Sequence, residues 1–119
     1  MAIKDELQLF MNAMAVSYSA GDAVSCAAMF TADAELISPY APVARGRAEI
    51  EELHRVWTEG VGNKKLLVID AGAAGDVAWC LANFSEGEVA GEGTSLCVFE
   101  RQHDGNWLIR ICSLNEGNT

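Results

Sequence analysis

The chain has 119 residues, of which half are hydrophobic and 21% are charged, a composition that predicts one folded domain over residues 1–119 and excludes a disordered chain. Seventeen acidic residues against eight basic ones give a net charge of −9. This charge repels phosphate backbones and anionic lipid, so we expect neither nucleic acid nor membrane as a partner. No apolar run approaches the roughly 20 residues that cross a bilayer.

Four cysteines are spread along the chain among apolar neighbours, at Cys26, Cys80, Cys97 and Cys112. They form no CxxC pair and no zinc-finger spacing with a histidine, so we expect no metal and no other cofactor. No signal-peptide pattern precedes the first apolar stripe, and reduced thiols packed as small hydrophobes are typical of a reducing compartment. We therefore expect a cytoplasmic location.

Helical periodicity dominates the first half of the chain. A helix over residues 3–18 is predicted by the stripe Ile3, Leu7, Phe10, Met11, Met14 and Tyr18. Gly21 suits a helix stop and Asp22 can cap a second helix, whose stripe is Ala23, Cys26, Ala27 and Phe30. A short strand over residues 34–38 and a loop to Arg45-Gly46 follow. A third helix is predicted over residues 47–59, with His54 at the edge of the buried stripe Ile50, Leu53, Val56 and Trp57.

From Lys65 onward the apolar period becomes two, which predicts four strands, over residues 66–73, 77–86, 94–103 and 106–114. Turns at Gly75-Asp76 and Asp104-Gly105, and a looser acidic turn over residues 87–93, predict antiparallel pairing. The strands are apolar on both faces, and three short helices can cover only one of them. We therefore predict a homodimer through the outer face of the sheet.

Four segments carry a resemblance to a known superfamily: residues 18–22, 29–36, 43–50, and Glu100-Arg101 with residues 104–107. They resemble the nuclear transport factor 2-like superfamily, which includes steroid delta-isomerases and SnoaL-like polyketide cyclases. The resemblance spans nearly the whole chain. It implies an α+β fold in which N-terminal helices pack on a strongly curved, mostly antiparallel sheet, forming a cone-shaped half barrel with an internal pocket.

The residues of steroid delta-isomerase chemistry are missing. Those enzymes move a proton with a carboxylate and hold the enolate oxygen with a Tyr and a protonated acid. The resemblance places Met14 at the position of the tyrosine, Ser38 at that of the carboxylate and Cys97 at that of the protonated acid. Met cannot donate a hydrogen bond, and neither Ser nor a neutral thiol is a comparable base, so isomerisation by that mechanism is disfavoured.

Alternation and the resemblance together predict that these strand residues point into the cone: Trp79, Leu81, Asn83, Cys97, Phe99, Arg110, Cys112 and Leu114. On the last strand the opposite set, Trp107, Ile109 and Ile111, is more apolar, and there the resemblance decides. An inward Arg110 must meet an anion, which is either a ligand carboxylate or enolate, or a carboxylate of the protein.

His54 is the candidate catalytic residue, because an imidazole with an ordinary pKa of about 6.5 exchanges a proton near neutral pH. A packed structural histidine is the alternative. Aromatic residues could form walls around a flat ligand, with Ser38 and Asn83 as hydrogen-bonding groups, or they could be core. The predicted ligand-binding set is Met14, Tyr18, Ser38, Tyr40, Trp57, Trp79, Asn83, Cys97, Phe99, Arg110 and Cys112.

These features predict a protein that binds a small, largely apolar organic molecule in the cone. Proton-transfer chemistry of the isomerase, cyclase or dehydratase type is compatible with the candidate residues. The alternative is a non-catalytic ligand-binding or dimerisation module. The sequence leaves open whether the protein is an enzyme.

Overall fold

A computed structural model describes residues 2–60, 63–86 and 92–116. The elements in chain order are α1 (Ile3–Ser19), α2 (Ala23–Ala28), β1 (Phe30–Ile37), β2 (Ala44–Arg45), α3 (Arg47–Trp57), β3 (Lys65–Ala74), β4 (Val77–Ser85), β5 (Gly93–Arg101) and β6 (Trp107–Glu116). The predicted acidic turn lies largely outside the described residues. The short strand β2 falls in a segment predicted as loop.

The boundary between α1 and α2 follows from Gly21 and Asp22. Gly21 adopts a positive φ of 72°, and the Asp22 carboxylate accepts hydrogen bonds from the Ser25 backbone N–H and hydroxyl. These bonds lower the pKa of Asp22. No helix in the described part of the chain combines the length and hydrophobicity that a bilayer crossing requires.

Phe30 corrects the predicted end of the second helix. It begins β1 rather than ending α2, because neighbouring elements take over its backbone. Ile109 N–H donates to the Met29 carbonyl at 2.9 Å, and the Arg47 guanidinium donates to the Phe30 carbonyl at 2.6 and 3.1 Å. The chain therefore leaves the helix two residues earlier than its apolar period indicates.

The strands form one six-stranded sheet in the order β2-β1-β6-β5-β4-β3. Only the β1–β6 pair is parallel, so the predicted α+β class with a mostly antiparallel sheet is confirmed. The sheet does not close. Irregular pairing at three places, in β1–β6, β3–β4 and β5–β6, increases the local twist of its strands.

All three helices pack on one face of the sheet, which we call the inner face. From α1, the Phe10 ring meets the Phe99 ring of β5 edge to face at 5.1 Å. Gln8 of the same helix bonds the edge strand twice, donating to the Leu66 carbonyl and accepting from the Val68 N–H. The buried side chains of the strands on this face include Phe30, Ala34, Leu36, Leu66, Val68, Ala78, Cys80, Ala82, Phe84, Ser95, Cys97, Phe99, Trp107, Ile109 and Cys112.

The facing of β4 is opposite to the predicted one. Ala78, Cys80, Ala82 and Phe84 are buried under the helices, whereas Trp79, Leu81 and Asn83 lie on the outer face. The small side chains of Ala78 and Ala82 are fully buried on the inner face. On the outer side the glycine at Gly72 leaves room for the Trp79 indole, which lies across it.

The outer face of the sheet is apolar and exposed in the monomer. Trp79 is 39% exposed and Leu96 is 45% exposed, and both lie on central strands of the sheet. Other exposed large apolar residues on the strands are Ile37, Leu67, Ile69 and Val77. The helices therefore cover one face and leave the other open, as the sequence predicted.

Two glycines of the sheet have different reasons for lacking a side chain, which allows a matched test. A Cβ on Gly93 would lie 2.1 Å from the Asn115 carbonyl oxygen, whereas a Cβ on Gly72 would lie 2.5 Å from the Trp79 indole nitrogen. The backbone cannot move aside, but a partly exposed indole can rotate. In urea unfolding, we expect Gly93→Ala to cost at least about 2 kcal/mol and Gly72→Ala less than about 1.5 kcal/mol. Equal losses would contradict this assignment.

Candidate functional site

Six aromatic or charged side chains converge at the end of the sheet where β1, β4 and β6 finish and β3 and β5 begin. They come from separate elements of the chain. Their positions are Tyr18 in α1, Tyr40 after β1, His54 and Trp57 in α3, Lys64 before β3 and Glu86 after β4. We call this group the aromatic–lysine cluster.

His54 lies at the centre of the cluster. It is only 4% exposed, and its Nδ1 lies 2.8 Å from the Ile50 carbonyl oxygen. A carbonyl can only accept, so the bond assigns the proton to Nδ1 and leaves the lone pair on Nε2. Burial lowers the pKa of His54, an effect that the Ile50 bond opposes and the nearby Lys64 charge reinforces. The imidazole is therefore neutral near pH 7 and can accept a proton at Nε2.

The burial of His54 corrects the predicted stripe of α3. The sequence placed His54 at the edge of this stripe and Val56 inside it, but Val56 is exposed. The helix is rotated so that Ile50 and His54 face the core, with Leu53 and Trp57 partly buried beside them. Val56 turns toward the loop that precedes β2.

Aromatic rings surround His54. The ring centroids of Tyr18 and Trp57 lie 5.9 and 5.6 Å from the imidazole centroid, both in edge-type arrangements. Tyr40 meets Trp57 edge to face at 6.1 Å, and the Tyr18 hydroxyl donates to the Trp57 carbonyl at 3.3 Å. These predicted aromatic residues therefore come together. Tyr40 is half exposed, so the cluster reaches the surface.

Lys64 and Glu86 form an ion pair beside these rings. Lys64 Nζ lies 2.9 Å from Glu86 Oε1, and the two side chains are only 10% and 14% exposed. The same ammonium lies 4.2 Å from the centroid of the Tyr18 ring and 4.8 Å from that of the Phe84 ring. Burial, and next the Glu86 carboxylate, raise the pKa of Tyr18 above its ordinary value, so its hydroxyl stays protonated.

Sequence reasoning missed Lys64 and Glu86. They are 22 positions apart, each next to a strand end, and no local spacing connects them. The antiparallel register of β3 and β4, which pairs Lys65 with Ser85, brings them together. That register was the available signal, because a hairpin over residues 66–86 places the residues at its open end side by side.

Four of the predicted ligand-binding residues lie in the packed interior: Met14, Cys97, Phe99 and Cys112. Cys97 is directly opposite both Cys80 and Cys112 in the sheet, and its Sγ lies 3.1 Å from that of Cys112. Thiol hydrogen bonds with these two cysteines, and burial, raise the pKa of Cys97. The thiol stays protonated, which does not favour a nucleophilic thiolate. Ser38 is half buried and accepts from the Tyr40 N–H at 3.3 Å.

Arg110 was predicted to point into the interior, but its side chain lies on the outer side of the sheet. It is the extra residue of the β5–β6 irregularity, between Ile109 and Ile111. Its guanidinium lies 3.5 Å from the Asp33 carboxylate and 3.7 Å from that of Glu35, on the outer side of β1. The protein thus supplies the anion that Arg110 meets. With Trp79 and Asn83 also on the outer face, these three residues lie apart from the aromatic–lysine cluster.

A shallow groove of about 520 Å³ lies elsewhere, between α3 and the loop before β2. Its lining is Ala41, Pro42, Val43, Ala44, Ala48, Glu49, Glu52, Leu53 and Val56. None of the predicted site residues lines this groove. Within residues 2–60, 63–86 and 92–116, no group of three or more His, Cys, Asp or Glu side chains is arranged to hold a metal ion.

Comparison with solved structures identifies the fold family of the chain. The chain matches no protein-family model and no curated protein. Solved structures resemble it over nearly its whole length. A protein of unknown function from Mycobacterium tuberculosis is 22% identical, covers 96% of this chain and 71% of its own, and has a TM-score of 0.79. A ketosteroid isomerase-like protein from Erwinia carotovora atroseptica is 17% identical, with 92% of each chain covered and a TM-score of 0.75.

A nuclear transport factor 2-like protein from Novosphingobium aromaticivorans, described as having a cystatin-like fold, is 20% identical over 92% of this chain and 79% of its own, with a TM-score of 0.74. This chain has the nuclear transport factor 2-like fold. The resemblance inferred from the sequence is thereby confirmed at the level of fold.

The lowered pKa of His54 predicts a pH dependence of stability. Below pH 6.5, His54 is protonated in the unfolded chain but stays neutral in the folded chain, whose pKa is lower. The free energy of unfolding therefore falls as the pH drops through that value. The slope contributed by one such group is at most about 1.4 kcal/mol per pH unit. We expect urea unfolding between pH 7.5 and 5.5 to show this slope in the wild type and in the exposed-site control His103→Gln. His54→Gln should lose it, and an unchanged slope would contradict the buried neutral imidazole.

Proposed function

We propose that this protein binds a small, largely apolar organic molecule at the aromatic–lysine cluster and that His54 exchanges a proton with it. The supporting observation is the neutral imidazole, fixed in one tautomer by the Ile50 carbonyl and flanked by the rings of Tyr18 and Trp57. Rings supply flat apolar walls, and Nε2 supplies the base. No hydrogen bond to Nε2 is formed within the described residues.

The reaction class that fits these groups is proton transfer at a carbon next to a carbonyl. Nε2 takes a proton from that carbon to give an enolate and returns a proton to the same or a conjugated carbon. Isomerases, cyclases and dehydratases share this step. One structural neighbour is described as ketosteroid isomerase-like. The resemblance places Met14, Ser38 and Cys97 at the positions of the catalytic residues of steroid delta-isomerases, and none of the three is a comparable acid or base. Such a step in this chain therefore rests on His54.

Binding can be tested with N-phenyl-1-naphthylamine, a neutral dye that fluoresces in apolar sites. Trp57 lies in the cluster, whereas its neighbour Val56 lines the separate groove. We expect the wild type to bind the dye and Trp57→Ala to weaken binding by about tenfold, the effect of losing one large aromatic contact. Val56→Ala should bind normally. Loss of binding in Val56→Ala alone would move the site to the groove, and no binding by the wild type would refute the proposal.

Proton transfer can be tested without knowing the substrate, using the small enolisable ketone 2-tetralone in D₂O. We expect the wild type to accelerate exchange of the protons next to the carbonyl, as followed by NMR. The exchange rate should rise with pH and then level off once His54 is neutral. Because burial lowers the pKa of His54, this plateau should begin at a pH below 6.5. His54→Gln should fall to the buffer rate while His103→Gln stays active. Equal exchange by the wild type and His54→Gln would remove His54 from catalysis and favour a binding module.

We also propose that the protein is a homodimer through the outer face of the sheet, which bears on the alternative function as a dimerisation module. The supporting observation is the exposed apolar surface around Trp79 and Leu96 on central strands. Monomeric soluble proteins rarely leave such a continuous surface in water. A cytoplasmic location remains a prediction, and the four buried thiols are compatible with it.

The dimer predicts that one charge on the outer face separates the copies. In sedimentation equilibrium, we expect the wild type to be dimeric and Leu96→Glu to be monomeric, because a carboxylate at the centre of an apolar interface has no partner. Val16 provides the control, because it is also an exposed apolar residue but lies on α1, away from the outer face of the sheet. Val16→Glu should remain dimeric, and a monomeric wild type would refute this interface.

A further inference from the structure

Lys64 differs from every other basic residue of the chain in its position. All eight lysines and arginines lie in the described part of the chain. Six of the others are exposed, and Arg110 is half buried on the outer side, where Asp33 and Glu35 surround it. Lys64 alone has its ammonium enclosed, with a side chain only 10% exposed. Any anion entering the cluster therefore meets one cation.

Among the residues that the structure describes, the contacts of Lys64 leave donor capacity for a ligand. An ammonium has three N–H groups, and Glu86 accepts from one of them at 2.9 Å. The rings of Tyr18 and Phe84 lie over the same ammonium, at 4.2 and 4.8 Å. A ring face is a weaker partner for an N–H than an anionic oxygen is. An incoming anionic oxygen can therefore replace the ring contacts of the ammonium, and it competes with Glu86 for the same charge.

Folding alone does not explain this pair. A buried ion pair contributes little to stability compared with two apolar side chains of the same volume, because both charges lose their hydration. Lys64 and Glu86 also keep a small exposed fraction, so the pair lies at the surface end of the cluster and not in its sealed interior. An enclosed cation that solvent can reach, beside aromatic walls, is the arrangement that recognises a flat anion.

Building on the proposed function, we propose that Lys64 anchors an anionic oxygen of the ligand and that Glu86 is the partner this oxygen competes with. The ligand class is then a small aromatic or alicyclic anion carrying a carboxylate, an enolate or a phenolate. Both Lys64 and His54 lie against the Tyr18 ring. The charge that holds the anion therefore also stabilises the negative charge that develops when His54 removes a proton.

Two dyes that share a naphthalene core test the anchor. N-phenyl-1-naphthylamine is neutral, whereas 8-anilinonaphthalene-1-sulfonate has the same ring system plus one anionic group. The quantity to measure is the ratio of their dissociation constants for each variant, because loss of folded protein affects both dyes equally. Lys65, the next residue in the chain, is exposed and provides the matched control.

We expect Lys64→Met to weaken the sulfonate dye by at least about tenfold, the loss of one charge-assisted contact, while the neutral dye changes less than about twofold. Glu86→Gln should act in the opposite direction and tighten the sulfonate dye by about threefold or more, since it removes a competing carboxylate. Lys65→Met should change neither dye. Lys64→Met leaves the Glu86 carboxylate buried and unpaired, so the double variant Lys64→Met/Glu86→Gln serves as the second measurement and should also lose the preference for the sulfonate.

The outcomes separate the two proposals. If the neutral dye binds and the ratio is the same in the wild type, Lys64→Met and the double variant, the anchor is refuted and the apolar site stands. If Lys65→Met lowers the ratio as much as Lys64→Met does, the anion is held by surface charge and the anchor is also refuted. If neither dye binds the wild type, the proposed function fails and the anchor fails with it.

Discussion

The structure depends on one imbalance: a sheet with two apolar faces and helices for one of them. Covering the inner face fixes the positions of α1, α2 and α3, and with them the tilt that turns His54 inward between Tyr18 and Trp57. The same imbalance leaves Trp79 and Leu96 at the outer surface. The site and the proposed dimer interface are therefore two consequences of one sheet, on opposite sides of the same strands. A mutation that alters the twist of a central strand should therefore affect both the site and the proposed dimer interface.

Much of the fold could be predicted from the sequence because its signals are local. The stripe of α1, the stop at Gly21, the cap at Asp22 and the Asp104-Gly105 hairpin each lie within a few residues, and each is present in the structure. The facing of β4 could not be predicted in this way. Its residues are apolar on both faces, so hydrophobicity hardly distinguishes the two facings, and only the structure shows that Ala78, Cys80, Ala82 and Phe84 are the buried set. Arg110 was predicted wrongly because the resemblance was preferred there to the more apolar set of Trp107, Ile109 and Ile111. One extra residue in β6 gives Arg110 a different facing from Cys112.

The site was predictable in its aromatic half and not in its charged half. Tyr18, Tyr40, His54 and Trp57 were identified as candidates, and the structure brings them together, because helical spacing and aromatic character are visible in one segment at a time. Lys64 and Glu86 are ordinary residues in their own segments. Only the pairing of two strands makes them neighbours, and only the enclosure by Tyr18 and Phe84 makes their charges unusual. Hydrophobic periodicity predicts which residues are buried, but it does not predict which charged residues strand pairing brings together.

The overall charge of the chain and the charge inside the cluster have different effects. A net charge of −9 opposes polyanions, whose many charges all meet the field of the surface. A small anion carries one charge, and within the cluster its nearest charged neighbour, if it replaces Glu86, is the ammonium of Lys64 at short range and in a poorly hydrated site. Screening by salt weakens the first effect much more than the second. The same enclosure keeps His54 neutral while Lys64 faces a carboxylate, so a base and a cation lie side by side without neutralising each other, which is the pairing of roles that proton transfer next to a developing oxyanion requires.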